Sequence, residues 1–102
     1  MGLIKKSELN NVSMEIILYA GDARSYISEA LAEAKIGNFK EAAKLIKKTD
    51  AKIVKAHKAQ TDIIQSATSG KDIEYSLLFA HAQDTLMTII SEVKLSKEFI
   101  EI

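Results

Sequence analysis

The most informative stretch of this sequence for the fold is residues 37–70, GNFKEAAKLIKKTDAKIVKAHKAQTDIIQSATSG. A glycine stands at each end, and between the glycines a set of residues recurs at alternating steps of three and four. The set is Phe39, Ala42, Ile46, Thr49, Ile53, Ala56, Gln60, Ile63 and Ala67. This spacing places the whole set on one stripe of an α-helix, as in coiled coils and helical bundles. The stretch therefore predicts one long helix, from about Phe39 to Ser69.

Residues typical of turns stand before and after this helix. Gly37 is suited to end a preceding helix, and Asn38 with Glu41 three residues later resembles a capping box. After the helix, Ser69-Gly70 predicts a second turn, and Asp72 or a neighbour is expected to cap a third helix.

The flanking stretches predict helix 1 at about Asn11 to Ile36 and helix 3 at about Glu74 to Ile100. Helices joined by short turns pack as an antiparallel up-down-up three-helix bundle, so we predict an all-α fold. With 102 residues and no proline, the chain suits a single domain over 1–102. Residues 1–10 are expected to form a flexible N-terminal segment, and Gly21 is expected to allow close helix contact.

The composition excludes several classes of protein. The 14 basic residues balance the 14 acidic ones, which argues against nucleic-acid binding. The chain contains no cysteine, so neither disulfides nor thiolate chemistry is available. No signal peptide or run of about 18 apolar residues is present, so we expect a cytoplasmic protein that does not insert into membranes.

Helix 3 is unusual because apolar residues cover most of its circumference. They are Leu77, Leu78, Phe79, Ala80, Ala82, Leu86, Met87, Ile89, Ile90, Val93 and Leu95. A polar stripe of His81, Asp84, Thr88 and Ser91 is set among them. This pattern predicts a helix buried on several sides, as at the centre of an oligomer, although an imperfectly patterned helix of a monomer is the alternative.

Two histidines are the only candidates for nucleophilic chemistry, because no glycine-flanked serine, HExxH or phosphate-binding loop is present. A histidine can itself carry a phosphoryl group. His81 shares a helix face with Asp84, which could orient its ring, whereas Gln83 lies almost opposite and could only reach a neighbouring chain. A purely structural His–Asp pair remains open, as does a structural role for His57.

The charges are segregated along the chain. The stretch from Lys40 to Lys58 contains seven lysines and only two acidic residues, Glu41 and Asp50, so its net charge is +5. Such a run is commonly a solvated helix face, and its functional alternative is a docking surface for acidic partners or a field that attracts phosphate.

Three stretches, ILYAGDARS (17–25), AHKAQT (56–61) and HAQDTLM (81–87), resemble the lactose/cellobiose-type enzyme IIA of bacterial sugar phosphotransferase systems. The similarity runs in order from about Glu15 to the C-terminus. It implies a phosphoryl carrier that accepts phosphate from phospho-HPr and passes it to a cysteine of enzyme IIB, for uptake of a lactose-, cellobiose- or chitobiose-type sugar.

The resemblance also implies site residues. His81 matches the phosphoryl acceptor of the family's H-x-Q-D motif, with Gln83 and His57 as supporting residues. Asp84 matches an aspartate near the threefold axis of a homotrimeric nine-helix bundle, where Mg²⁺ or another divalent cation can bind. Thr85 departs from the second histidine that many relatives have, and a hydroxyl supplies a hydrogen bond but no cation.

Two other functions remain as alternatives. A helical adaptor would not depend on His81. A metal-dependent hydrolase using His57, His81 and Asp84 would have few ligands per chain.

Overall fold

The structure, a computed structural model, describes residues 3–70, 72–74 and 76–101. Three long helices dominate it: α1 (Lys6–Lys35), α2 (Phe39–Thr68) and α3 (Leu77–Glu101). The prediction of an all-α fold with three helices is confirmed. In the ranges described, no helix has both the length and the apolar character needed to cross a membrane.

A short parallel pair of strands accompanies the helices. β1 (Leu3–Ile4) pairs with β2 (Asp72–Ile73), with Leu3 opposite Asp72. The predicted start of helix 1 at Asn11 is therefore wrong by five residues, because β1 and the first turn of α1 occupy this stretch. Met1 and Gly2 lie outside the described residues, and the flexibility of residues 1–10 stays a prediction.

α1 and α3 run parallel to each other. Asn10 is hydrogen-bonded to Ser76 near the start of both helices, and Arg24 is paired with Glu92 farther along. The two links join residues 66 and 68 positions apart, a nearly constant offset. Parallel helices keep such an offset, whereas antiparallel helices do not.

α2 runs antiparallel to α1. The ammonium of Lys48 lies 5.7 Å from the centre of the Tyr26 ring, and that of Lys55 lies 5.7 Å from the centre of the Tyr19 ring. Residue numbers thus rise on one helix as they fall on the other. The chain goes up, down and up as predicted, with α1 packed against both other helices, which make few contacts with each other.

The turn between α1 and α2 follows the prediction at Gly37 and at Asn38, which is the N-cap of α2, but it lacks the predicted capping box. Gly37 has a φ of 81°, and its N–H donates to Ala34 while the Asn38 N–H donates to Glu33, both at carbonyl oxygens. This is a Schellman motif, which only a left-handed residue closes easily. The predicted capping box is wrong, because the Asn38 side chain donates to Glu33 Oε2 at 2.7 Å instead of capping α2.

The N-cap of α3 is Ser76, so the prediction of Asp72 or a neighbour is wrong by about four residues. The Phe79 N–H donates to Ser76 Oγ at 3.1 Å, which satisfies a donor of the first turn. Asp72 lies in β2 instead. α3 consequently begins at Leu77 and not at Glu74.

The core is a set of heptad stripes that meet along the bundle axis. Buried residues of α1 alternate at steps of four and three: Leu9, Ser13, Ile16, Ala20, Ala23, Ile27 and Ala30. α3 repeats the pattern with Ala82, Leu86, Ile89, Val93 and Ser96. Buried residues of α2 are Ala42, Leu45, Thr49, Ala56 and Gln60. The small side chains among them let the helices approach closely.

The predicted stripe of α2 is confirmed in part. Phe39 is 59% exposed because it stands at the end of the bundle, and Leu45 is buried where Ile46 was expected. Buried Thr49 satisfies its hydroxyl by donating to the Leu45 carbonyl at 2.9 Å. Gly21 is exposed, with open space around the position of a Cβ, so within one chain its expected role in helix contact is wrong.

Candidate functional site

His81 lies on the exposed face of α3. The next residue, Ala82, is fully buried, and Leu86 follows it into the core four residues later. This packing fixes the rotation of α3, so His81, Asp84, Thr88 and Ser91 form one polar stripe, as the sequence predicts, and the stripe is exposed in the single chain. α3 is thus not buried on several sides within one protomer, and its burial in an oligomer stays a prediction. The His81 imidazole is therefore open to a protein partner approaching from outside the bundle.

The other residues of the H-x-Q-D motif differ in their surroundings. Asp84 is exposed on the same face as His81, and Gln83 is half-buried on another side of the helix. In the described part of the chain, no hydrogen bond joins His81 to Asp84. The carboxylate therefore does not orient this imidazole within a single chain.

His57 occupies the exposed surface of α2. Its Nδ1 lies 3.4 Å from the hydroxyl Oγ1 of Thr61, one helical turn away. Both side chains border a shallow groove, whose other lining residues are Ile53, Val54, Lys58, Asp62 and Gln65. Val54 is 65% exposed, so an apolar surface lies directly beside this histidine.

The two histidines belong to helices that barely touch. α2 and α3 are joined near one end of α3 by an ion pair, in which Lys97 Nζ lies 2.7 Å from Asp50 Oδ1. Because α2 and α3 run antiparallel from this ion pair, His57 lies opposite about position 90 of α3, roughly nine residues or 13 Å along the axis from His81. Any cooperation between them requires contact between two chains.

The lysine-rich surface is partly used by the fold. Lys48 lies over the ring of Tyr26, and both Lys52 and Lys55 lie over Tyr19, at 5.4 Å for Lys52. Such cation–π contacts stabilise the packing of α2 on α1. Tyr19 and Tyr26 are seven residues apart, which places both rings on the same face of α1, and this spacing could have been read from the sequence. Lys40, Lys44 and Lys47 are exposed and line the outer side of α2.

Metal binding has no basis within one chain. Across residues 3–70, 72–74 and 76–101, no group of three or more histidine, cysteine, aspartate or glutamate side chains is placed to hold an ion. A divalent cation needs several oxygen ligands, and Asp84 alone supplies one carboxylate. Within one protomer, the described residues therefore do not fit a bound metal.

Large apolar side chains flank the polar stripe of α3. Leu77 is 68% exposed, Met87 52% and Leu95 59%, all on the half of α3 that the other two helices leave open. Together with the stripe they form the open face of α3. A continuous open face with this apolar content is typical of an interaction surface.

Sequence comparisons place these features in a known context. The model of the family "PTS system, Lactose/Cellobiose specific IIA subunit" matches residues 11–102. The lactose-specific EIIA component of Staphylococcus epidermidis is 40% identical over 99 residues, which cover 97% of this chain and 95% of that protein. The corresponding component of Streptococcus mutans is 42% identical over the same shares of the two chains.

Solved structures agree with the sequence comparisons. The cellobiose-specific enzyme IIA of Bacillus anthracis superposes with a TM-score of 0.84 at 42% identity, covering 89% of this chain and 84% of the other. The IIA(Chitobiose) chain of a complex with HPr from Escherichia coli has a TM-score of 0.79 at 37% identity, covering 92% and 91%.

Proposed function

This chain belongs to the lactose/cellobiose-specific IIA family of sugar phosphotransferase systems, and we propose that it carries a phosphoryl group on His81 between two protein partners. It is a phosphotransferase component. The donor in this proposal is phospho-HPr, and the acceptor is a cysteine of the cognate enzyme IIB. The sugar is of the lactose, cellobiose or chitobiose type, and the carrier acts in the cytoplasm.

The observation that carries this proposal is the exposure of His81 on a rigid helix. A relay between proteins needs a nucleophile that two different partners can reach in turn, which a deep pocket would prevent. Complex formation by a IIA(Chitobiose) chain with HPr, in a relative of the same fold, supports HPr as the partner here.

The transfer itself requires little from the protein beyond position. A neutral imidazole nitrogen of His81 attacks the phosphorus in line, a P–N bond forms, and the bond from phosphorus to the donor breaks. The other ring nitrogen keeps its proton. Transfer to enzyme IIB then exchanges this P–N bond for a P–S bond to the acceptor cysteine.

Neighbouring side chains help to hold the phosphoryl oxygens in this proposal. Thr85 is half-buried one turn after His81 and can donate one hydrogen bond from its hydroxyl. His57 and Gln83 contribute from other chains of an assembly, because neither shares the face of His81 within one protomer.

Assembly as a homotrimer follows from the open face of α3. Three copies of α3 around a common axis would cover Leu77, Met87 and Leu95, giving a nine-helix bundle. His81 lies about 60° around the helix from Asp84, so in this proposal it stays at the border between two protomers, where partners can reach it. The axis would gather three Asp84 carboxylates, whose mutual repulsion needs compensation. Mg²⁺ or another divalent cation with water ligands would offset most of this charge, as shared protons would, and phosphoryl transfer does not pass through this ion.

The deciding experiment is phosphorylation in a defined mixture. We expect incubation with phosphoenolpyruvate, enzyme I and HPr to place on His81 a phosphate that is labile in acid and stable in alkali. A chain that stays unmodified in this mixture would contradict the proposal and favour the adaptor. Release of phosphate from a phosphate ester with a divalent metal would instead favour the hydrolase.

A further inference from the structure

The N-terminal segment is tied to the connection that precedes α3. β1 pairs with β2, and the Glu74 N–H extends the pair by donating to the Ile4 carbonyl at 3.1 Å. Ile4 is only 5% exposed. The Glu74 carboxylate also accepts a hydrogen bond from the Lys6 N–H, at the first residue of α1. Hydrogen bonds thus join the first residues of α1 to the segment that leads into α3.

Ser76 is the centre of this arrangement. Its hydroxyl donates to Asn10 Oδ1 at 2.9 Å and accepts from the Phe79 N–H at 3.1 Å. The Ser76 carbonyl accepts from the Ala80 N–H at 3.2 Å. Ser76 is 6% exposed, so water does not replace these bonds easily. A hydrogen-bonded path therefore runs from Asn10 on α1 into the first turn of α3.

We propose that Asn10 is a positioning residue for His81, an inference that rests on the proposed function. His81 stands five residues after Ser76, about 7.5 Å along the helix axis at 1.5 Å per residue. Because its ring is exposed, its position depends on the backbone of these first two turns. In-line transfer is sensitive to placement, and a shift of about 1 Å can slow such a reaction by roughly a hundredfold.

The choice of asparagine at position 10 agrees with this role. The residue lies inside α1, where asparagine favours the helix less than alanine does. Its amide oxygen faces α3 and accepts the Ser76 hydroxyl at 2.9 Å. Replacing Asn10 by alanine should leave α1 intact, leave Ser76 as the cap of α3, and remove only the link between the helices.

The test compares three variants with the wild type. Asn10→Ala removes the link, and Asn10→Asp keeps an oxygen that accepts the Ser76 hydroxyl. Ser13→Ala is the matched control, since the Ser13 hydroxyl is bonded within α1 to the Leu9 carbonyl. The measurements are the KM and kcat of phosphorylation by phospho-HPr, and amide hydrogen exchange along α3.

We expect Asn10→Ala to lower kcat by roughly two- to tenfold, the factor that corresponds to one net hydrogen bond, with KM nearly unchanged. Exchange should accelerate in the first two turns of α3, up to and including His81, and not beyond them. Asn10→Asp should restore kcat, and Ser13→Ala should retain it. These results together would support the inference.

Two results would overturn it. One is a kcat for Asn10→Ala equal to that of the wild type, and the other is an equal loss in Ser13→Ala, which would mean general destabilisation. A wild-type protein that accepts no phosphate would overturn the proposed function and this inference with it. The wild-type reaction therefore separates the two failures.

Discussion

Arg24 on α1 holds Glu92 on α3 through two parallel hydrogen bonds, from Nε to Oε2 at 2.9 Å and from Nη2 to Oε1 at 2.8 Å. These bonds and the Glu92 charge raise the pKa of Arg24 above its ordinary value. Both side chains are about half exposed. The pair therefore fixes the register of the two parallel helices more than it stabilises them, because water and salt screen such pairs.

The first prediction concerns this pair. Arg24→Lys keeps the charge but loses the planar guanidinium that makes two hydrogen bonds to Glu92. We therefore expect a small decrease in thermal stability, and in 1 M salt this decrease should be smaller still. Leu86→Ala, a truncation in the core, should cost about 2–5 kcal/mol and show little salt dependence. Thermal unfolding at two salt concentrations measures both. An Arg24→Lys effect as large as that of Leu86→Ala would contradict this view.

The second prediction separates the two histidines. His81→Ala should fold normally, because alanine favours the exposed helix position, and should accept no phosphate from phospho-HPr. His57→Ala should retain measurable phosphorylation, because His57 lies on α2 in a groove bordered by residues of α2 alone, away from His81 on α3. Mass spectrometry of both variants after reaction checks this. The reverse outcome would show that the carrier histidine is His57.

The third prediction uses two glycines that differ in backbone conformation. Both have open space around a Cβ, but Gly21 is inside α1 while Gly37 has a φ of 81°. Gly21→Ala should stabilise the fold by roughly 0.5–1 kcal/mol. Gly37→Ala should destabilise it by about 1 kcal/mol, because a side chain strains the left-handed conformation. Urea unfolding compares them, and changes of equal sign would contradict the assignment of the turn.

The fourth prediction addresses the lysine-rich surface as a docking surface. Lys44→Glu should slow phosphoryl transfer at low salt and not at high salt, since exposed charges are screened beyond about 10 Å at 0.1 M. Lys48→Glu should also lower stability, because it removes the contact with Tyr26. Transfer rates at several salt concentrations are the measurement. Rates that do not change at low salt would make this surface an ordinary solvated helix face.

The fifth prediction concerns the assembly. Light scattering should give a mass near three times 11.2 kDa, because trimer formation would bury the exposed apolar side chains on the open face of α3. Removing divalent metal at neutral pH should loosen the trimer, and Asp84→Leu should make it less dependent on metal. Thr88→Ala, on the same stripe, is the control that leaves the carboxylates in place. A monomer at micromolar concentration with metal present would contradict the trimer and the role given to α3.

Much of the candidate site could be predicted from the sequence, although some details of the fold could not. The polar stripe shared by His81, Asp84, Thr88 and Ser91 follows from helical spacing, and the structure confirms it. Its exposure in the single chain does not follow from that spacing, because it depends on which side of α3 packs against the other helices. The N-cap of α3 was predicted wrongly at Asp72. A cap depends on where the first turn closes, and Asp72 is used in a strand that pairs with the distant residue Leu3.

The sequence by itself determined the three helices, the turn at Gly37 and the stripe that His81 shares with Asp84, because helical period and glycine conformation are properties of neighbouring residues. Only the tertiary structure decided that Ser76 caps α3 and bonds to Asn10, 66 positions away. It also decided that lysines of α2 rest on tyrosines of α1. Such contacts depend on which helix faces which, and no local pattern specifies that choice.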